Sequence, residues 1–244
     1  MSERQIRTQA GSILYDDTCV VKPDDRLFER DYWIGRAAEP ATGGRGQVVY
    51  IRDGGRHWVL RHFRRGGLVA KWVADSYLWT GEDRTRSFRE WRLLSLLHQE
   101  GFPVPAPVAA RYVRSGLAYR ADLITTEIPE ARTLADRITE AALPRTVWQD
   151  IGRVIARLHH RGVHHVDLNA HNVLVGSGND IHVIDFDRAR VRAGGAWQDE
   201  VLGRLRRSLE KIKRQRADVR FGEAEWQALR EGYADSAARN GRGA

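Results

Sequence analysis

The sequence predicts a mixed fold of the α+β class, with a β-rich first half and a helix-rich second half. In the first half, the β-like runs QVVYI and HWVLRHF are separated by Gly-rich turns. Two longer segments, RTRSFREWRLLSLLHQEG and TVWQDIGRVIARLHHRG, repeat their apolar residues with helical spacing and end at a glycine. This pattern indicates two lobes around a cleft, and clefts between lobes commonly bind ligands.

The two lobes are expected to follow an N-terminal arm. Residues 1–30 are polar and mixed, and we predict that they form a loosely attached arm. Residues 31–128 are predicted to form the β-rich lobe and residues 129–244 the helical lobe, with a thin junction near Pro129. The segment YRADLITTEI reads as a strand that leads to this junction.

The charge balance indicates an acidic partner or surface. The net charge is +8, and arginine carries most of it because the chain has only four lysines. The planar guanidinium suits phosphate and carboxylate, so phosphorylated lipid, nucleotide and nucleic acid are all candidates. No apolar run approaches the roughly 20 residues of a membrane span, and we expect no signal peptide. The single cysteine, Cys19, excludes an internal disulfide and fits a reducing cytosol.

The first helical segment carries a charge on its apolar face. Glu90, Leu94 and Leu97 fall at positions i, i+4 and i+7, so the carboxylate shares a face with the leucines. A buried carboxylate requires a cationic partner. We therefore expect a lysine or arginine to contact Glu90.

The second helical segment leads directly into a polar stretch, HHVDLNAHNVLV. Its residues 165–172 fit H-x-D-L-x-x-x-N, the pattern of kinase catalytic loops. NVLV and IHVIDF follow as two short strands joined by the turn GSGND, and the second of them ends at Asp185. This combination of a helix, a polar loop and a strand pair is more specific than any of its single residues.

Phosphoryl transfer explains why these residue types occur together. The γ-phosphate carries spread negative charge, so Mg²⁺ must be held against it by oxygen ligands, and Asn172 and Asp185 would supply them. Asp167 would accept the proton of the acceptor hydroxyl and position that hydroxyl, while His165 would brace the loop by hydrogen bonds. An ordinary turn is one alternative, because Asn, Asp and His tolerate turn geometry. A zinc site formed by His164, His165 and His171 is another, although it lacks an HExxH helix or a cysteine partner.

The chain resembles the 3-deoxy-D-manno-octulosonic acid (Kdo) kinases, which act in lipopolysaccharide-core synthesis and have a protein-kinase-like fold. The resemblance covers about residues 30–215. It rests on VLRHFRRGG, YLWT, FREW, GFPVPAPVAA, HHVDLNAHNVLV and IDFDRAR. It implies transfer of the ATP γ-phosphate, with Mg²⁺, to a Kdo hydroxyl (the 4-hydroxyl in this family) on a lipid A precursor. It also implies a peripheral protein at the cytoplasmic side of the inner membrane.

Three positions depart from the usual kinase pattern. The glycine loop contains Gly43, Gly44 and Gly46, but it has no glycine at the position of the third glycine of the usual kinase loop. The binding of phosphates by its backbone is therefore weakly specified. Val166 replaces an arginine that commonly pairs with a phosphorylated activation loop, so control by such phosphorylation is not expected. Asp187 replaces the glycine of Asp-Phe-Gly, so the backbone flexibility of glycine is lost at this position. This favours a site whose activity is not switched by a flip of the Asp-Phe segment.

Two cations compete for the role of gripping the nucleotide phosphates next to Glu90. Arg61 stands where a V-A-I-K strand would place lysine, and the likeness to core-sugar kinases favours it. Lys71, in LVAK, is favoured by its spacing of 19 residues from Glu90. Both hypotheses stay open at this point.

A basic segment, EVLGRLRRSLEKIKRQR at residues 200–216, follows the catalytic motif. Leu202, Leu205 and Leu209 share a helical face, and arginines and lysines cover much of the rest. The cations are interpreted as a solvated helix face or as a contact with an anionic membrane. No recognition-helix, RNP-like or zinc-finger pattern is present, so nucleic acid is not an expected partner.

The acceptor and the activity each have an alternative. A kinase for another core sugar, such as heptose, would use the same residues. The irregular glycine loop and the unsettled lysine also allow a non-catalytic, kinase-like binding module, although Asp167, Asn172 and Asp185 are all present.

Overall fold

A computed structural model describes residues 2–33, 38–40, 48–64 and 75–240. The chain divides into two units. The first comprises Met1–Glu100 with Pro105–Glu127, and the second comprises Gly101–Val104 with Ile128–Ala244. The first unit is rich in antiparallel sheet and the second in helix, so the predicted α+β class is confirmed.

One antiparallel sheet dominates the described part of the first unit. Its strands are β1 (Glu3–Arg7), β2 (Gly11–Asp16), β3 (Ala38–Pro40), β4 (Val48–Asp53), β5 (Arg56–His62), β6 (Tyr77–Leu78), β7 (Pro107–Ser115) and β8 (Ala118–Thr126). They run in the order β1-β2-β7-β8-β5-β4-β3, and β6 pairs with β8. Two helices accompany the sheet, α1 (Arg30–Trp33) and α2 (Arg86–Gln99), with short 3-10 turns at Asp25–Phe28 and Glu82–Arg84.

The segments predicted from apolar patterning form as expected in this unit. QVVYI and HWVLRHF correspond to β4 and β5, which pair with Val49 opposite Leu60. The helical segment corresponds to α2, where Phe88, Trp91, Leu94 and Leu97 are buried. Because successive members of this set are three residues apart, they lie along one broad side of the helix.

The predicted loose N-terminal arm is wrong. Strand β2 pairs along its length with β7, with Leu14 opposite Ala110, and β1 pairs with β2. Ile13 and Leu14 are completely buried. Residues 3–16 therefore form one side of the sheet, because the hydrogen bonds and burial of a hairpin outweigh the polar character of its outward side chains.

The second unit is built from helices and short strand pairs. Its elements are β9 (Arg132–Thr133), α3 (Leu134–Glu140), α4 (Arg145–His160), β10 (Val163–His164), β11 (Val173–Val175), β12 (Ile181–Val183), β13 (Arg190–Val191), α5 (Trp197–Gln215) and α6 (Glu223–Asn240). β11 pairs with both β12 and β9, and β10 pairs with β13. The predicted strands NVLV and IHVIDF correspond to β11 and β12, and the predicted helix at residues 146–162 corresponds to α4.

Two glycines let α4 and α6 pack closely. A Cβ atom at Gly152 would lie 2.0 Å from the main-chain oxygen of Leu229, and one at Gly232 would lie 2.0 Å from that of Gln149. Real Cβ atoms do not approach oxygen so closely, so any side chain at either position would force the helices apart. Gly162 ends the preceding turn with φ of +79°, which fits its predicted role as a helix cap.

A buried histidine joins α4, α5 and α6. His159 is 3% exposed, its Nδ1 lies 2.8 Å from the hydroxyl of Tyr233, and its ring packs edge-on against Trp197 at 4.9 Å. Burial lowers the pKa of His159 to about 4, with smaller contributions from His164 and neighbouring histidines. The ring is therefore neutral at pH 7, whereas in the unfolded chain it takes up a proton near its ordinary pKa of 6.5.

We expect the protein to lose stability as the pH falls from about 6.5 towards 4. In this window the unfolded chain binds the His159 proton and the folded chain does not, so acid favours unfolding by up to about 3 kcal/mol. His159→Phe should lower stability at pH 7 and flatten this slope, as measured by denaturant unfolding at pH 7, 6, 5 and 4.5. His160→Gln, an exposed neighbour on the same helix, is the control. An unchanged slope in His159→Phe would contradict the assignment.

Within residues 2–33, 38–40, 48–64 and 75–240, none of the helices combines the length and the apolar character that crossing a bilayer requires.

Candidate functional site

In the first unit, Glu90 contacts a cation as expected, and Arg61 is such a partner. Glu90 lies on α2 with its side chain 1% exposed, and Arg61 lies on β5 with its side chain 23% exposed. Arg61 Nη2 donates to Glu90 Oε2 at 2.5 Å, and the guanidinium also lies over the Phe63 ring at 4.6 Å. The prediction that the buried carboxylate contacts a cation is confirmed.

Four residues predicted to bind the nucleotide lie outside the described residues. They are Lys71 and the three glycines of the glycine loop, Gly43, Gly44 and Gly46. The Arg61–Glu90 contact therefore supports one of the two hypotheses for the phosphate-gripping cation without addressing the other.

Removing the charge of Glu90 is expected to destabilise the first unit. Glu90→Gln would leave Arg61 partly buried beside a neutral group, and breaking such a pair costs about 3 kcal/mol. The free energy of unfolding from denaturant titration measures the loss. Asp53→Asn breaks the Arg56–Asp53 pair, whose side chains are 52% and 48% exposed, and should cost less than about 1 kcal/mol. Equal losses in the two variants would contradict the importance assigned to burial.

In the second unit, the predicted catalytic loop connects β10 to β11 and is anchored on both sides. Leu168 and Ala170 are buried. The amide of Ala170 donates to Ser208 Oγ on α5 at 3.2 Å, and its carbonyl accepts from the amide of Ala135 on α3 at 3.0 Å. The loop is thus held between two helices.

His165 braces the loop, as predicted. It is 3% exposed, and its Nε2 lies 3.0 Å from the carbonyl oxygen of Ile184. Because a carbonyl can only accept, Nε2 carries the proton and donates. Burial lowers the pKa of His165, which keeps the ring neutral, and its edge contacts the Phe186 ring at 4.9 Å. The histidine links the loop to the segment that carries Asp185.

Two asparagines shape the turn around Asp167. Asn169 Nδ2 and Asn172 Nδ2 both donate to the main-chain oxygen of Asp167, at 2.8 and 3.1 Å. Asn169 Oδ1 accepts from the amide of His171 at 2.9 Å. These bonds fix the backbone of Asp167, so its side chain projects from a rigid turn.

The carboxylate of Asp167 is 34% exposed and contacts two arginines. Arg188 Nη1 lies 3.3 Å from Oδ2, and Arg204 Nη1 of α5 lies 3.5 Å from Oδ1. Neither contact was predicted. Arg188 belongs to the IDFDRAR motif and Arg204 to the basic segment at residues 200–216, but their spacing in the sequence does not indicate that they contact Asp167.

Asp185 lies at the same end of the β11–β12 hairpin as Asn172. The amide of Ile184 donates to the carbonyl of Asn172 at 3.0 Å, which brings the two neighbouring side chains to one edge. Asp185 has φ of +66°, in the left-handed region that is uncommon for residues other than glycine. The next residue, Phe186, is 1% exposed. Such strained backbone clusters at functional sites.

The donor set at this edge suits a hard cation. Asp185 offers a carboxylate and Asn172 an amide oxygen, the ligand types that Mg²⁺ prefers. Since Nδ2 of Asn172 donates to the main chain, its Oδ1 is the atom available to accept. Among the described residues, no group of three His, Cys, Asp or Glu side chains has metal-binding geometry, and His165 is engaged by a carbonyl. The alternative zinc site is not supported.

The chain is similar to a family of lipopolysaccharide kinases. Residues 35–233 match the model of the family described as lipopolysaccharide kinase (Kdo/WaaP). The 3-deoxy-D-manno-octulosonic acid kinase of Vibrio parahaemolyticus is 40% identical over 217 residues, which cover 87% of this chain and 90% of the relative. The kinases of the same name from Stenotrophomonas maltophilia and Xanthomonas campestris are 42% and 43% identical, covering 91% and 86% of this chain and 89% and 85% of the relatives.

Both the extent of these matches and the catalytic-loop geometry lead to one assignment. The chain belongs to the lipopolysaccharide kinase (Kdo/WaaP) family, whose members have a protein-kinase-like fold.

Proposed function

We propose that the protein is a kinase that transfers the γ-phosphate of ATP to a hydroxyl of Kdo on a lipid A precursor. The arrangement of Asp167, Asn172 and Asp185 around one loop and one hairpin is the observation that carries the proposal. Relatives named 3-deoxy-D-manno-octulosonic acid kinase, 40–43% identical over most of the chain, support Kdo as the acceptor. The 4-hydroxyl is the proposed position, from the family resemblance.

Asp167 is the proposed catalytic base. The acceptor hydroxyl oxygen forms a bond to the γ-phosphorus, the bond between that phosphorus and the bridging oxygen of ADP breaks, and the hydroxyl proton passes to the Asp167 carboxylate. The asparagine bonds to its main chain hold Asp167 in place for this step. Asn172 and Asp185 would hold Mg²⁺, which supplies charge neutralisation at the phosphates when bound.

Binding of the nucleotide phosphates is assigned to residues of the first unit. Arg61 is the proposed phosphate-gripping cation, supported by its ion pair with the buried Glu90 on α2. Lys71 is the rival candidate, and Gly43, Gly44 and Gly46 are the proposed backbone contacts. Arg61→Ala and Lys71→Ala, compared for ATP affinity, distinguish the two cations, since only loss of the gripping cation should weaken nucleotide binding strongly.

One assay tests the proposed activity and its alternatives. The purified protein is incubated with labelled ATP, Mg²⁺ and either Kdo-lipid A, a heptosylated core or a peptide, and NMR locates the phosphate. Label on the 4-hydroxyl of Kdo is the expected result. Label on heptose would instead identify a kinase for another core sugar, and nucleotide binding without turnover on any acceptor would identify a non-catalytic module.

The proposed acceptor is anchored in a membrane, so we also propose that the protein binds the cytoplasmic face of the inner membrane peripherally. On α5, the exposed residues Arg207, Lys211 and Arg214 fall at i, i+4 and i+7 and thus share one face. Arg206 is less suited to this role, because it pairs with Glu223 at 2.7 Å and lies over the Trp226 ring. The sequence also offers three aromatic residues, Trp72, Trp79 and Tyr77, for contact with the membrane interface. Tyr77 is buried and Trp79 packs against the Tyr112 ring at 5.0 Å, which favours core packing for both, and Trp72 lies outside the described residues.

Binding to vesicles is expected to require anionic lipid and to weaken with salt. Each cation near an anionic leaflet contributes about 1 kcal/mol, so reversing Arg207, Lys211 and Arg214 to Glu should weaken binding at least about tenfold. The attraction is screened over about 8 Å at physiological salt, so added salt should release the protein in a co-sedimentation assay. Reversing the exposed Arg84, Arg89 and Arg120 of the first unit gives a control with the same net charge. Equal binding to neutral and to anionic vesicles would contradict this role, and the α5 cations would then be only a solvent-exposed helix face.

A further inference from the structure

Two guanidinium groups flank the proposed catalytic carboxylate. Arg188 approaches one oxygen of Asp167 and Arg204 the other, at 3.3 and 3.5 Å. The Arg188 and Arg204 side chains are 59% and 49% exposed. Each contact uses a single Nη atom, so most of the N–H donors of each arginine are directed elsewhere.

The arrangement is poorly explained as a structural ion pair. Pairs this exposed contribute little to stability, and both distances are longer than those of a strong charge-assisted hydrogen bond. Two cations around one carboxylate also leave an excess positive charge beside it. A second anion would balance that charge, and a planar guanidinium with free donors is well suited to bind a carboxylate.

We propose that Arg188 and Arg204 bind the carboxylate of the acceptor and thereby select a sugar acid over a neutral sugar. This inference rests on the proposed function. The relatives are named for an octulosonic acid, a sugar that carries a carboxyl group. In the proposed function, this carboxyl group and the 4-hydroxyl belong to the same Kdo unit. When the acceptor carboxylate binds the guanidinium groups of Arg188 and Arg204, it replaces the carboxylate of Asp167 as their partner. The Asp167 oxygens are then available to the acceptor hydroxyl. Binding of the acceptor carboxylate thus also makes the catalytic base, Asp167, available for the reaction.

Two other roles would use the same contacts. In the first, the arginines position the side chain of Asp167 and bind no substrate group. In the second, they contact the transferred phosphoryl group. In both of these cases their loss would slow the reaction regardless of whether the acceptor carries a carboxylate. Carboxylate recognition alone predicts an effect that disappears when the acceptor is neutral.

The test compares a deacylated, water-soluble Kdo glycoside with its carboxamide as acceptors. The wild-type protein should prefer the acid in kcat/KM by about tenfold to a hundredfold, the range of one charge-assisted hydrogen bond or more. Arg188→Gln, Arg204→Gln and the double variant should raise KM for the acid and bring its kcat/KM close to that of the carboxamide. Arg188→Lys, which keeps the charge, should recover part of the preference. Arg190→Gln, exposed on β13, is the matched control and should behave as wild type.

Each other outcome has a defined meaning. Equal use of the acid and the carboxamide by the wild-type protein would overturn the inference while the proposed Kdo kinase activity stands. An equal loss on both acceptors in the variants would also overturn it, and would indicate that the arginines act on Asp167 or on the phosphoryl group. Turnover of neither acceptor, with full turnover of a heptosylated core, would overturn the proposed function itself and this inference with it. Thermal unfolding of each variant verifies that the exposed substitutions leave the fold intact.

Discussion

Asp167→Asn is expected to reduce phosphoryl transfer by about 10²- to 10⁴-fold, the usual contribution of a positioned acid or base. Asparagine keeps the size of the side chain and leaves the main-chain oxygen that accepts from Asn169 and Asn172. The loop should therefore keep its shape, while the carboxylate that accepts the hydroxyl proton is lost. Because Asp167 is not a proposed phosphate or metal ligand, ATP affinity should change little.

Turnover with labelled ATP and ATP affinity from thermal shift, measured on the same preparation, separate these two effects. The matched control is Asp150→Asn on α4. Asp150 is 47% exposed, pairs with Arg153, and is separated in sequence from the catalytic loop. The control should retain wild-type turnover. A purified Asp167→Asn protein with most of its activity would remove Asp167 from the role of base.

Local patterns in the sequence predict the elements that surround the catalytic loop. Helix α4 is recognisable because its apolar residues recur with helical spacing and Gly162 ends it. The β11–β12 hairpin follows from two β-branched runs around the turn GSGND. The motif then places Asp167, Asn172 and Asp185 on a loop and a hairpin edge, and the structure brings them together there.

The features that sequence reasoning missed depend on contacts between distant parts of the chain. Strand β2 pairs with β7, with Ser12 opposite Tyr112, and no local pattern in a polar N-terminus indicates a partner so far along the chain. The contact between Asp167 and Arg204 is of the same kind, because it depends on how α5 packs beside the loop. Asn169 is different: its turn-forming role could have been inferred from the tendency of Asn side chains to bond backbone groups nearby.

The backbone conformation of Asp185 is a further feature that the sequence does not display. Its φ is +66°, and the preceding residue, Ile184, donates to Asn172 and accepts from His165. A left-handed conformation is tolerated better by Asp and Asn than by most other residues. This difference provides a way to separate the backbone role of residue 185 from the role of its carboxylate.

Asp185→Asn and Asp185→Ala are both expected to lose the Mg²⁺ dependence of nucleotide binding. Asparagine accepts the left-handed backbone and removes only the negative charge, whereas alanine removes the ligand and also strains the backbone. Affinity for ATP with Mg²⁺ should fall by more than about tenfold to a hundredfold, the loss typical of removing even an outer-shell partner of a metal. Calorimetric titration of ATP, with Mg²⁺ and with EDTA, measures the difference.

The comparison among variants decides what Asp185 contributes. Asp180→Asn, at the other end of the same hairpin and 56% exposed, should bind Mg²⁺-ATP like the wild-type protein. If Asp185→Asn also bound like wild type while Asp185→Ala did not, the backbone conformation alone would matter. Asp185 would then be no metal ligand. If both variants bind ATP equally with Mg²⁺ and with EDTA, the carboxylate is what couples the metal to the nucleotide, because asparagine preserves everything else at this position.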